Sequence, residues 1–142
     1  MRKWLIVFLS LLLLLSPLTA LGATNQVTSS EMVQPYAYQL IADGGCQLSN
    51  NGNGNISISG DTSTYYPVTE VGLTLNLQYL SNGNWYTLQS YSYTANNTSY
   101  KSGGQKLSVS RGYYYRVLAE HTAYNGSTYE TGFSYTEAVY VQ

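Results

Sequence analysis

His121 is the chain's only histidine, and it is the one side chain whose ordinary pKa suits acid–base work near neutral pH. It lies in SRGYYYRVLAEHTAYNG, Ser110 to Gly126. Its sequence neighbours Glu120 and Thr122 cannot assist it on a strand, because adjacent side chains point to opposite faces. A hairpin turning at Asn125-Gly126 brings Glu130 back toward it as the one carboxylate within reach. A nucleophile would have to be a serine or Cys46, and the sequence has no strained Gly-x-Ser-x-Gly turn to present one. The expectation is a hydrogen-bonded or partly exposed strand histidine, no catalytic residue and no enzyme.

Metal chemistry has as little to build on. One histidine, one cysteine and scattered carboxylates give no zinc-ligand spacing. Asp61, beside an Asn-rich turn, lacks the Asp-x-Asp-x-Asp-Gly pattern of a calcium loop. Neither metal nor cofactor is expected. Cys46 alternates with Leu48, so it reads as a small buried apolar residue; a reactive or intermolecular thiol is the competing reading. A single cysteine allows no internal disulfide, and the fold must stand on packing. Asn55-Ile-Ser, Asn96-Asn-Thr, Asn97-Thr-Ser and Asn125-Gly-Ser match the glycosylation acceptor pattern, but they read as turn residues in a chain this rich in Asn, Ser and Thr.

The opening, MRKWLIVFLSLLLLLSPLTALGAT, sets a basic Arg2-Lys3 start before an apolar run that Pro17 breaks. Small residues follow at Ala20, Gly22 and Ala23. This is the layout of a secretory signal peptide over residues 1–23, cut near Gly22–Ala23 or Ala23–Thr24; an uncleaved anchor is the competing reading. The expected product is secreted and soluble, or held at the cell envelope by non-covalent contacts, with no stable membrane insertion after cleavage. After the cut, four basic residues (Lys101, Lys106, Arg111, Arg116) face seven acidic ones (Glu31, Asp43, Asp61, Glu70, Glu120, Glu130, Glu137), a net of −3. That balance is too weak and too scattered for nucleic acid, which needs a basic patch against its phosphates.

Residues 24–37 are polar and aperiodic, contain Pro35, and read as a flexible leader. From residue 38 to 142 the dominant period is two, which makes one β domain. In EVGLTLNLQYL, Val71, Leu73, Leu75, Leu77 and Tyr79 share one face. Ser81-Asn82-Gly83-Asn84 is a hairpin signal, and NWYTLQSYSYT returns with Trp85, Thr87, Gln89, Tyr91 and Tyr93 on one face. GCQLS and NISISG flank the turn cluster Asn50–Gly54. QKLSVS offers Leu107 and Val109. In the opening stretch Tyr113, Tyr115, Val117, Ala119 and His121 face one way, with Tyr114, Arg116, Leu118, Glu120 and Thr122 facing the other. The last strand runs from Thr128 to Val141, broken or bent near Gly132. Seven strands without a helix imply an all-β fold, a single seven-stranded antiparallel β-sandwich of the immunoglobulin/fibronectin III kind. In that kind a tyrosine at the start of the sixth strand turns its hydroxyl back to the preceding loop. Tyr113 has the position and Tyr115 is the alternative.

NNGNGNISISG, VGLTLNLQYLSNGNWYTLQSYSY and GGQKLSVSRGYYYRVLAEHTAYNGSTYET together resemble a family of small secreted Firmicutes proteins of uncharacterised function with one β-rich domain. The resemblance spans about residues 44–141 and implies the fold and export, but no ligand. The remaining chemistry is aromatic: the chain holds 16 tyrosines, on both faces of two strands, and each layer buries only one face. Trp85, Tyr91, Tyr93 and Tyr114 are the candidate binding surface, while Tyr113 and Cys46 are structural. Trp85 has a competing reading as the plug of the core. The expected function is a non-enzymatic secreted module that binds a protein or glycan partner. The alternatives are a structural subunit self-associating through edge strands and a carbohydrate-binding module using Trp85 and exposed tyrosines.

Overall fold

The computed structural model describes residues 26–31 and 38–142; the signal-peptide expectation for residues 1–23 lies outside them. Seven antiparallel strands form one sheet, and no helix occurs among the described residues. They are β1 (Gln26–Glu31), β2 (Ile41–Gly52), β3 (Asn55–Ser81), β4 (Asn84–Ser108), β5 (Tyr113–Tyr124), β6 (Tyr129–Tyr135) and β7 (Val139–Val141). Two tight hairpins fix the registers of the long strands. Asn53-Gly54 and Asn82-Gly83 all take positive φ, at 55°, 75°, 49° and 78°. This is the mirror-image two-residue turn that Asn-Gly pairs favour.

β3 is the axis of the sheet. Residues 55–63 pair with β2 on one side and with the C-terminal part of β4 on the other. Residues 70–79 pair with the N-terminal part of β4 and with β5. Between these stretches the β4 register jumps from Ser63↔Tyr100 to Val68↔Thr98, so four residues of β3 oppose Ser99 alone. Pro67 lies in the jump, where its missing N–H costs no ladder bond. β3 changes one neighbour there, from β2 to β5, and the sheet curls into a half-barrel in which β2 approaches β5 and β6 without pairing with them.

The curl encloses the apolar core. Cys46 and Leu48 from β2, Ile56, Ile58, Leu73, Leu75 and Leu77 from β3, Tyr115, Val117 and Ala119 from β5, and Val139 and Val141 from β7 form one buried cluster. Leu40, Ile41, Val68, Val71 and Ala123 form a second. Small residues let large rings in. A Cβ on Gly44 would sit 2.6 Å from the His121 ring, and one on Gly103 would overlap Tyr93.

The strands are composed differently from the sequence expectation. NISISG and EVGLTLNLQYL are one strand, because Asp61–Thr69 between them is rich in β-branched and aromatic residues that keep the chain extended. The segments from Asn84 and from Gln105 likewise merge into β4, which runs through left-handed Asn97 at φ 52°. The last expected strand divides into β6 and β7. The flexible-leader expectation for residues 24–37 is corrected over Gln26–Glu31, which pair with β2 from Gln26↔Asn50 to Glu31↔Gly45. An edge strand needs a hydrogen-bonding partner rather than an apolar period, so its polar sequence concealed it; the rest of that stretch lies outside the described residues.

The turned-back hydroxyl belongs to Tyr115 and not to Tyr113. Tyr115 is buried and its Oη donates to the Ser110 carbonyl at 2.7 Å. Tyr113, nearer the strand end, is exposed and sets its ring edge-on to Tyr79 at 5.8 Å. Tyr115→Phe should therefore destabilise the protein by about 1–3 kcal/mol in chemical denaturation, while Tyr113→Phe changes stability by less than about 0.5 kcal/mol. Equal effects at the two positions would reject the assignment.

Candidate binding surface

His121 faces the interior opposite Leu73 and is fully buried. Its Nδ1 lies 2.8 Å from Thr62 Oγ1, which itself donates to the Gly72 carbonyl at 3.0 Å. Its Nε2 lies 2.9 Å from Ser134 Oγ, and Ser134 contacts Cys46 Sγ at 3.4 Å. If the threonine proton goes to Gly72, Nδ1 carries the imidazole proton, and the single Ser134 proton is shared between His121 Nε2 and Cys46 Sγ. Serine, histidine and a thiol thus stand in line, and Cys46, His121 and Ser134 are all buried. Burial pushes the His121 pKa down to about 4, against the opposing pull of Asp43. The imidazole is neutral at physiological pH and works as a crosslink between β2, β3, β5 and β6.

Glu130 does not assist His121, whose partner on β6 is Gly132. Its carboxylate instead accepts three consecutive backbone N–H groups, from Gln39 at 2.6 Å, Leu40 at 2.8 Å and Ile41 at 2.9 Å. Those bonds hold its pKa below the usual range despite partial burial, which pulls the other way. Tyr38 adds a hydroxyl bond to the Thr131 carbonyl at 2.8 Å. The approach to β2 is thereby fastened to β6.

The expected common face of Trp85, Tyr91 and Tyr93 does not exist. The β3–β4 register skips Leu88, pairing Leu77 with Gln89 but Gln78 with Thr87. This bulge reverses the alternation of β4. Tyr91 and Tyr93 lie opposite Leu75 and Leu73 and pack on the core from inside. The Tyr93 hydroxyl donates to the Gly104 carbonyl and accepts from Gln105 Nε2, both at 3.1 Å. Those two tyrosines leave the candidate surface.

Trp85 and Tyr114 remain on the outer face. Trp85 is half-buried there, with the Arg116 guanidinium 4.3 Å from its ring centroid. Arg116 Nε donates to Gln78 Oε1 at 2.9 Å, and Gln78 reaches Thr87 at 3.3 Å. Arg116 also stands 6.0 Å from the ring of Tyr135. Beyond it, Tyr129, Phe133 and Tyr135 alternate outward along β6 at 61%, 50% and 54% exposure. Tyr114 and Tyr140 pair across β5 and β7 with centroids 5.0 Å apart. Sequence reading missed the β6 rings, although T-Y-E-T-G-F-S-Y carries them at period two. The described residues hold no group of three or more His, Cys, Asp or Glu placed to bind a metal ion, and no helix among them is long and apolar enough to cross a membrane.

No family model and no curated protein matches the chain.

Two pH windows follow from these pairings. The folded pKa of His121 lies below the unfolded value near 6.5, so the unfolded state binds the extra proton. Its contribution is complete above about pH 6.5 and is lost as pH falls toward 4, on the order of 3 kcal/mol in all. Denaturation midpoints across that window should slope upward with pH in the wild type and flatten in His121→Leu; an unchanged slope would contradict the burial. The folded pKa of Glu130 lies below its unfolded value near 4.5, so its contribution fades as pH drops below that value. At pH 7, Glu130→Gln should cost about 1–3 kcal/mol and speed hydrogen exchange at the Gln39–Ile41 amides. Unaltered exchange there would show that the carboxylate does not hold them.

Proposed function

We propose that the protein is a non-enzymatic, secreted binding module acting at the cell envelope or in the extracellular space. The observation that carries this reading is the row of exposed rings on β6, continued by Tyr114 and Tyr140 and joined to Trp85 through Arg116. Aromatic and arginine side chains supply most of the energy at recognition surfaces, because they bury large area at low conformational cost. A core does not need these rings, since the interior is already filled by side chains of β2, β3, β5 and β7. Export rests on the layout of residues 1–23, and kinship with the small Firmicutes family rests on the segments that resemble it. The sandwich reading of the curled sheet rests on the approach of β2 to β5 and β6, and the immunoglobulin/fibronectin III kinship on the corner bond of Tyr115.

The second reading, self-assembly, has its own observation. Along its 25 residues β4 pairs only with β3 among the described residues, so its other edge is open to a further strand. Size-exclusion chromatography separates the two readings, since assembly predicts large species that persist on dilution.

The surface test compares retention of envelope fractions and arrayed glycans by the wild type and by Phe133→Ser/Tyr135→Ser. The double variant should stay folded, within about 0.5 kcal/mol of wild type, and lose about tenfold or more in binding. Tyr65→Ser/Tyr66→Ser, which removes equally exposed rings elsewhere, should bind normally, as should His121→Leu if folded. Equal loss in both ring-deleted variants would sink the surface.

A further inference from the structure

Several polar side chains that stand opposite one another on the outer face satisfy each other. Thr74 and Ser92 share a hydrogen bond at 2.9 Å, Ser90 donates to Asn76 at 2.6 Å, and Ser108 donates to Asn55 at 2.9 Å. A group of side chains on β1 to β4 does not pair in this way. Gln47 stands opposite Ser29 and Ser59, and Asp61 opposite Ser102. None of these five side chains has a hydrogen-bond partner among the described residues. All five line a groove of about 750 Å³ on the other half of the sheet from the aromatic row.

The groove exists because its floor lacks side chains. Gly45 and Gly104 occupy outward positions, and a Cβ on either would come within 2.9 Å of a neighbouring carbonyl, that of Ser30 or Ile58. Asp43 and Tyr100 complete the walls, with Tyr100 52% exposed. Asp43 already accepts from the Gly44 N–H at 2.8 Å.

The open groups define what fits. Serine hydroxyls and the Gln47 amide both donate and accept, while the Asp61 carboxylate accepts only. Two carboxylates repel phosphate, sulfate and uronate. The exposed ring of Tyr100 offers a flat apolar surface. A ligand that presents several hydroxyls and an apolar C–H face, without negative charge, answers all of these at once. We propose that the groove binds a neutral oligosaccharide, with a sugar ring on Tyr100 and its hydroxyls bonded to Asp61, Gln47 and Ser102.

This site is separate from the β6 rings, and the two stand or fall independently. The ¹⁵N-labelled protein is titrated with neutral hexaoses of β-1,4-linked glucose, xylose and N-acetylglucosamine, and in parallel with pentalysine and calcium chloride. At least one hexaose should give saturable shifts at the Gly45, Ser102, Gly103 and Gly104 amides. Tyr100→Ala should weaken that binding about tenfold and Asp61→Asn severalfold, while Phe133→Ser/Tyr135→Ser leaves it within about twofold. Dispersed spectra establish that each variant is folded. The proposal is overturned if no hexaose shifts these amides at millimolar concentration. It is equally overturned if only pentalysine or calcium shifts them, which would assign the carboxylates to charge binding, or if Tyr100→Ala binds as wild type.

Discussion

The fold depends on one strand serving two sets of neighbours. β3 gives Ile56 and Ile58 to the core before its bend and Leu73, Leu75 and Leu77 after it. Each fully buried side chain of this size contributes about 1.5–3 kcal/mol, so β3 is the largest apolar contributor on both sides of the curl. Pairing on both sides also fixes register, because a one-residue slip would turn every leucine outward. The bend at Thr64–Pro67 is what allows a single ladder to close over its own core.

Inside that curl the polar groups form a chain rather than isolated pairs. Thr62, His121, Ser134 and Cys46 link four strands at a depth where water is excluded. Each is satisfied, and no buried side-chain nitrogen or oxygen among the described residues lacks a partner. Such a network favours one arrangement of strands, since any shift strands a polar group at a cost of about 1–3 kcal/mol. Gly44 belongs to the same device, because a side chain there would occupy the space of the imidazole.

The all-β antiparallel character was legible because period-two alternation and Asn-Gly turns are local signals. Alternation alone sets Tyr115, Val117, Ala119 and His121 on one face of β5, but not which face is inward; Cys46 alternates with Leu48, and both are buried. What stayed hidden was non-local. The bulge at Leu88 leaves no mark in NWYTLQSYSYT, yet it separates Trp85 from Tyr91 and Tyr93. The choice between Tyr113 and Tyr115 depended on where β7 meets β5, two residues apart on a strand that reads the same from either. The groove depended on glycines from three strands meeting side by side, which no single segment reveals. The β6 rings were legible by spacing, but they fell in a stretch read as one bent strand.

The Glu130 clasp also bears on the order in which the chain acquires its shape. A ribosome delivers residues 38–41 some ninety positions before the carboxylate that binds them. The β2–β3 hairpin closes through its own two-residue turn. The segment leading into it has no carboxylate to hold it until β6 has been made. The lead-in to β2 therefore stays unsecured until β6 is made, and a later strand locks an earlier segment. Loss of β6 and unfastening of the lead-in to β2 are, for this fold, the same injury.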